Sequence, residues 1–292
     1  MYRIIRSDEI IEMINASIDV GQQQEREIYH VHLEKYLRVF INPILTVDSE
    51  ILGSMIVIED ISQIKKLENM RSEFVSNVSH ELKTPLTSIM GFVDTLKNGA
   101  LGDKERAIRF LDIIEKESER LNRLISDILL LSEIETAHKE PDAIEVNVRE
   151  VVEEVASMLQ IRLEGKPVEL TFSCPESLVI NINRDRVKQM LINLVDNAIK
   201  YTEIGFVKID VSLKDTMIVF VIEDSGIGIP DMHKVRLFER FYRVDKARSR
   251  KVGGTGLGLS IVKHIINQYR GDIQVDSIIG EGSRFTVRLP KR

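Results

Sequence analysis

No tryptophan occurs among the 292 residues, cysteine occurs once and proline seven times. A lone Cys174 cannot close a disulfide within the chain, which excludes a disulfide-stapled scaffold and fits a core residue in a reducing compartment. No apolar run approaches the roughly 18 residues that cross a bilayer, so the chain reads as soluble. No charged-then-apolar leader follows Met1, and a signal peptide is not expected. An excess of positive charge is missing too. Lys and Arg total 40 against 46 Asp and Glu, a net charge of −6, so nothing draws the whole protein to nucleic acid or anionic lipid and any basic site must be local. What the chain does have is length, enough for two or three compact units joined by linkers.

Residues 1 to 60 open with a short helical pattern (Ile10, Ile11, Ile14). They continue with strand-like runs at Ile28 to Leu33, Leu37 to Ile41 and Met55 to Ile58, separated by Pro43 and the Asp48-Ser49-Glu50 turn. After Asp60 the period changes. Ile61, Ile64, Leu67, Met70, Phe74, Val78 and Leu82 follow one another at a mean step of about 3.5, the coiled-coil repeat. A second stripe runs through Ile108, Leu111, Ile114, Leu121, Ile125 and Ile128. The breaks at Asn98-Gly99-Ala100 and Gly102-Asp103 predict two long antiparallel helices. Each carries more apolar surface than one hairpin can cover, and a dimeric four-helix bundle buries it. Thr136 to Asp142 reads as a linker. Beyond it strands and helices alternate. Asn147 with Glu150 suggests a capping box for a helix through Leu159, Val168 to Ser173 and Leu178 to Ile182 read as strands, and Asn183 caps a helix to Tyr201. Strands at Phe206 to Leu213 and Met217 to Glu223, a glycine-rich region, a helix ending at Gly271, and strands near Ile273 and Phe285 complete an α/β sandwich. The expected fold class is multidomain α+β.

Three patterns in the last segment suit a nucleotide. Asn193, Asn197 and Lys200 share one face of the helix that begins at Arg184, while Val187, Leu191, Leu194 and Ala198 face the other way. An amide carbonyl is a neutral oxygen ligand for a magnesium ion that already holds phosphates. Asp224-Ser-Gly226-Ile-Gly228-Ile229-Pro230 sets a carboxylate beside glycines that allow close backbone approach. Gly253-Gly254-Thr255-Gly256-Leu257-Gly258-Leu259 opens a helix whose N–H groups can take phosphate oxygens, without the Gly-Lys-Ser/Thr of a P-loop. Between the glycine clusters, residues 231 to 252 hold eight Lys/Arg against three Asp/Glu, a local charge of +5. Taken singly, each pattern is equally a solvated helix face, an ordinary turn or a basic loop.

Their order is more specific. Asn193-Leu-Val-Asp-Asn197-Ala-Ile-Lys200-Tyr201, then Asp224-x-Gly226-x-Gly228, Phe238-x-x-Phe241 and Gly254-x-Gly256-x-Gly258, resembles the ATP-binding domain shared by histidine kinases, DNA gyrase, heat-shock chaperones and mismatch-repair ATPases. The resemblance implies that Asn197 holds Mg²⁺, that Asp224 reads adenine and that Lys200 and Tyr201 line the nucleotide. Ile229 and residues 254 to 259 complete the site, residues 231 to 252 form a lid over ATP, and either Arg240 or Arg243 reaches the γ-phosphate.

Phe74-Val-Ser-Asn-Val78-Ser79-His80-Glu81-Leu82-Lys83-Thr84-Pro85-Leu86 is similar to the dimerisation and phosphoacceptor signature of sensor histidine kinases. That likeness implies autophosphorylation on His80 with Glu81 orienting the ring and taking its proton. It also implies transfer to an aspartate of a response-regulator receiver domain, and a phosphatase step in which Thr84 positions water. A neutral imidazole is a competent nucleophile. Residues 28 to 60, ending in Ile58-Glu59-Asp60-Ile61-Ser62, resemble the last strands and exit of a PAS sensory domain, shortened at the front. The layout is similar to that of the phosphate-starvation sensor kinases, which implies a cytoplasmic portion with membrane segments upstream. The divisions expected are 1–60 (partial PAS-like), 61–137 (coiled coil and phosphotransfer hairpin) and 138–292 (ATP-binding). A non-kinase ATPase of the same nucleotide fold and an inactive coiled-coil scaffold are the competing classes. His30, His32, His138, His233 and His264 carry no such setting and are read as surface or packing residues.

Overall fold

The computed structural model describes residues 7–48, 50–99, 102–136, 143–245 and 254–291. It divides into two compact units, Met1–Ser79 and His80–Arg292. His138 and most of the expected linker lie outside the described residues, as do residues 246 to 252 of the expected lid and Gly253 of the second glycine cluster.

In the first unit, helix α1 (Asp8–Val20) covers one face of an antiparallel sheet of β1 (Gln24–His30), β2 (Lys35–Leu45) and β3 (Ile51–Asp60), in the order β1-β2-β3. Alternation along β2 turns Leu37, Val39 and Ile41 to one side. There they join Ile10, Met13 and Ile28 in a core flanked by Ile14, Ile56 and Ile58. Residues 31 to 33, expected to extend the first strand, instead form a 3₁₀ turn, because the His30 Nδ1 accepts the Leu33 N–H at 3.3 Å and Glu34 takes a left-handed backbone. Helix α2 (Ser62–Lys97) leaves the sheet through a knot of polar contacts. Asp60 accepts from Lys35 Nζ at 2.6 Å and from the Ser62 N–H at 3.0 Å, while the Ser62 hydroxyl accepts the Tyr36 N–H. The Lys35 ammonium, helped by Ser62, holds the Asp60 carboxyl down at about 2.

The second unit begins within α2, which runs unbroken through Pro85, and continues with α3 (Lys104–Thr136). Phe92 and Phe110 pack at 5.1 Å near the turn of this hairpin, and Leu96, Ala107, Leu124, Leu131 and Ile134 are buried. Leu86, Met90, Ile108, Leu111, Ile125 and Leu129 stay exposed. A short pair, β4 (Ile144–Asn147) with β6 (Val179–Ile182), brackets helix α4 (Val148–Gln160) and strand β5 (Val168–Ser173). The α4 cap differs from a capping box: the Asn147 side chain takes the Arg149 N–H, two residues on, at 3.0 Å. Helix α5 (Arg184–Tyr201) is capped by Asn183, which accepts the N–H groups of Asp185 and Arg186. Strands β7 (Gly205–Lys214), β8 (Met217–Asp224), β9 (Asp272–Ile278) and β10 (Gly282–Pro290) join β5 in the order β5-β7-β8-β10-β9, with β5 and β7 parallel and the other pairs antiparallel. The one-turn α6 (Asp231–Lys234) and the longer α7 (Gly258–Gln268) follow the two glycine clusters. Among the described residues no helix is long and apolar enough to cross a membrane.

Val187, Leu191, Leu194 and Ala198 are all buried, so the apolar face of α5 is seated on the sheet as its spacing requires. Leu194→Ala should cost about 2–5 kcal/mol in urea unfolding, the usual range for a leucine removed from a packed core. A loss below about 1 kcal/mol would show that α5 can relax over the sheet and is not held by this face.

Candidate functional site

Seating one face of α5 on the sheet leaves the other looking into a cavity of about 550 Å³. Asn193, Asn197, Lys200 and Tyr201 line it from α5. The end of β8 and the following turn contribute Asp224, Gly228 and Ile229, and the second glycine cluster contributes Gly254, Thr255, Gly256, Gly258 and Leu259. Leu257 is fully buried beneath this wall, and Gly226 serves from behind, its N–H donating to Asp224 Oδ1 at 2.9 Å. Gly226, Gly228 and Gly256 are required by space, a Cβ on Gly226 meeting the Tyr201 carbonyl oxygen at 2.5 Å. A Cβ on Gly228 (φ +70°) would lie 2.0 Å from the Ile278 carbonyl oxygen, and one on Gly256 (φ +77°) 2.9 Å from the Phe241 Cα. Phe241 itself has a positive φ of 62° and donates its N–H to the Gly256 carbonyl. The lid side and the glycine turn are thereby locked together.

The polar groups are prepared unevenly. Asn193 Oδ1 accepts from Gln189 at 3.3 Å, while its Nδ2 is buried and has no hydrogen-bond partner among the described residues. Lys200 is steadied by Asp196 at 2.6 Å. Burial pushes the Asp224 carboxyl up to about 6, against the pull of the Gly226 and Ser283 backbone N–H groups.

Arg240 and Arg243, equivalent in the sequence, separate here. Arg240 pairs with Glu135 at the end of α3, and the cavity wall does not include it. Arg243 does line the cavity; its side chain is only 6% exposed and donates to the Gly254 carbonyl and, at 3.3 Å, to Glu81 Oε2. The same Glu81 oxygen accepts from Arg120 of α3 at 2.9 Å. His80 is exposed on α2, and the Thr84 hydroxyl donates back to its carbonyl at 3.0 Å. Glu81 therefore turns away from its neighbour toward two arginines, as adjacent positions on a helix dictate.

Several lining residues had no signal of their own. Asn122, Arg123, Ser126 and Asp127 of α3 form part of the wall, and in sequence they are ordinary polar positions of an amphipathic helix. Tyr242 also lines the cavity, its hydroxyl 2.5 Å from His233 Nδ1. His264 meets Glu135 at 3.0 Å through Nε2 and the Ser260 carbonyl through Nδ1.

Comparison with known proteins agrees with this arrangement. Residues 70–137 match the His Kinase A (phospho-acceptor) domain, and residues 182–292 match the histidine kinase-, DNA gyrase B- and HSP90-like ATPase family. The sensor histidine kinase WalK of Bacillus subtilis is 37% identical over 279 residues, 93% of this chain and 46% of that protein. The chain belongs to the sensor histidine kinases. WalK of Staphylococcus epidermidis is likewise 37% identical, over 87% of this chain and 42% of its own length, so this histidine kinase sequence spans under half of these relatives. Among solved structures, histidine kinase ThkA in complex with response regulator TrrA aligns with a TM-score of 0.62 and 27% identity, covering 97% of this chain and 83% of that one. Acinetobacter baumannii histidine kinase AdeS gives 0.59 and 27%, over 73% of this chain and 98% of its own. The helical hairpin and the α/β ATPase domain are thus the two domains of the kinase family.

The raised carboxyl of Asp224 has a thermodynamic sign. A folded-state value near 6 against an ordinary one near 4 stabilises the fold below about pH 4, and that contribution disappears as pH rises through about 6. Carrying the ionised group at neutral pH then costs about 3 kcal/mol. Asp224→Asn should match the native chain in thermal melts at pH 4 and exceed it at pH 8, the gap opening between those values. A constant difference across the range would show that Asp224 titrates normally.

Proposed function

We propose that this chain binds ATP with Mg²⁺ in the α5 cavity, phosphorylates His80 and, as a homodimer, passes the phosphoryl group to an aspartate on a response-regulator receiver domain. The observation that carries the reading is Arg243, which reaches from the nucleotide cavity to Glu81, the neighbour of His80. ThkA, a related kinase, is known in complex with its response regulator, which supports the choice of partner. The exposed apolar positions of α2 and α3 support the dimer, since a second hairpin would cover them.

In this reading Asp224 accepts from the adenine amino group, Lys200 and Tyr201 flank the nucleotide, and the backbone from Gly254 to Leu259 cradles its phosphates. The metal fits the donors present. Asn197, on the cavity wall, would supply a neutral amide oxygen to magnesium held chiefly by phosphates and water. When bound, the ion neutralises charge on the phosphate oxygens. An imidazole nitrogen of His80 bonds to the γ-phosphorus as the bond to the bridging oxygen breaks, ADP departs and the ring proton passes to Glu81. Arg243 turns from Glu81 to the γ-phosphate, which leaves Arg120 as the arginine partner of that carboxylate and opens it to the ring proton. Thr84 spends its proton on the His80 carbonyl but keeps oxygen lone pairs to orient a water for dephosphorylating the regulator.

We place the functional divisions at 1–60, a partial PAS-like input segment, 61–137 and 138–292, and take the whole as the cytoplasmic portion of a longer sensor whose membrane segments lie elsewhere. A chain under half the length of its relatives is consistent with that placement.

Incubation of His80→Gln with ATP and Mg²⁺ should yield no acid-labile phosphate while nucleotide affinity stays within about twofold of the native chain, a difference under 0.5 kcal/mol. Label persisting on the variant would move the phosphoacceptor elsewhere. Thr84→Ala should keep autophosphorylation and slow decay of the purified phosphorylated regulator at least about tenfold. Equal losses in both rates would mean that Thr84 only shapes the helix.

A further inference from the structure

The hairpin helix α3 does more than pack beside the nucleotide cavity; it places a carboxylate inside it. Asp127 Oδ2 accepts the hydroxyl of Thr255 at 2.7 Å, and the same Thr255 oxygen accepts the N–H of Leu257 at 3.3 Å. These donors belong to the glycine-rich turn that opens α7, where first-turn N–H groups and the helix dipole favour an anion. In this structure Asp127 is the anion found there. Burial opposes its charge and pushes its carboxyl up, an effect eased by the Thr255 hydroxyl and then by Lys200 and Arg123.

On the reading of this cavity as the nucleotide site, a triphosphate seeks the same hydroxyl and the same field. Two anions in one poorly solvated corner repel each other strongly. We propose that Asp127 stands in for the nucleotide's phosphates, so that α3 closes the cavity and nucleotide has to expel it in order to bind. Docking of the hairpin on the glycine-rich turn and occupancy by ATP then oppose each other. Because such coupling is reciprocal, a signal that shifts α3 alters nucleotide affinity, and nucleotide loosens α3.

Asp127→Asn tests this with little change of shape, since the amide oxygen still accepts from Thr255 while the charge is gone. A fluorescent ATP analogue should bind the variant full-length chain at least about fivefold more tightly than the native chain, with and without Mg²⁺. Asp127→Ala should tighten binding likewise. Unchanged affinity overturns the proposal. Weaker binding only with Mg²⁺ also overturns it, making Asp127 a metal-holding residue, and weaker binding in both conditions makes it a support for Thr255. Asp224→Ala, which removes the acceptor, is run in parallel and checks the nucleotide reading itself. Native binding that survives Asp224→Ala defeats that reading and leaves the Asp127 result standing as an anion effect, whereas native binding lost in Asp224→Ala but unaltered in Asp127→Asn defeats only the present inference.

Discussion

The polar site rests on an apolar contact. Helix α5 has to bury Val187, Leu191, Leu194 and Ala198 against the mixed sheet, and the helical period then leaves Asn193, Asn197 and Lys200 no direction but the cavity. Every other part of the site is arranged against that fixed face. The turn after β8 brings Asp224 across from α5, and the glycine cluster ahead of α7 closes the far side. The Nδ2 of Asn193, without a hydrogen-bond partner among the described residues, and the ionised Asp224 both represent stability given up at a site shaped for a ligand.

Much of this was legible because it depends on local rules. Periodicity gave the helix faces of α5, Asn183 marked its start, and the order of the asparagine, aspartate and glycine clusters identified the nucleotide domain before any geometry was available. What was illegible has physical causes as well. Strand β4 is four residues long and holds only because β6 pairs with it, a non-local fact. The turn at residues 31 to 33 follows from one histidine nitrogen capturing one N–H, which no propensity scale contains. Asp127 and Arg123 look like solvated helix positions, and only the approach of α7 to α3 turns them into a cavity wall. Arg240 and Arg243 have the same chemistry in sequence; the fold sends one to Glu135 and the other into the cavity.

Several polar contacts cross between the hairpin and the nucleotide domain. Arg243 with Glu81, Arg240 and His264 with Glu135, Arg186 with Glu133, and Thr255 with Asp127 all cross between them. Arg243 and Arg186 are only 6% and 7% exposed, so their contacts part readily only where water or phosphate takes the place of the carboxylate. On the proposed reading, in which the catalytic domain engages and releases a phosphoacceptor histidine, contacts that phosphate can replace suit both states.

The parallel pairing of β5 with β7 has a further consequence for how the domain is made. Val168 sits opposite Gly205, so these strands cannot zip together until the whole intervening stretch, including β6 and α5, has been looped back right over the sheet. The antiparallel neighbours β7 and β8 are joined by a tight turn and can form early and cheaply in entropy. On this topology β5 is expected to pair after the β7–β8 hairpin, and α5, which lies between β5 and β7 in the chain, is seated over the sheet as that pairing is made.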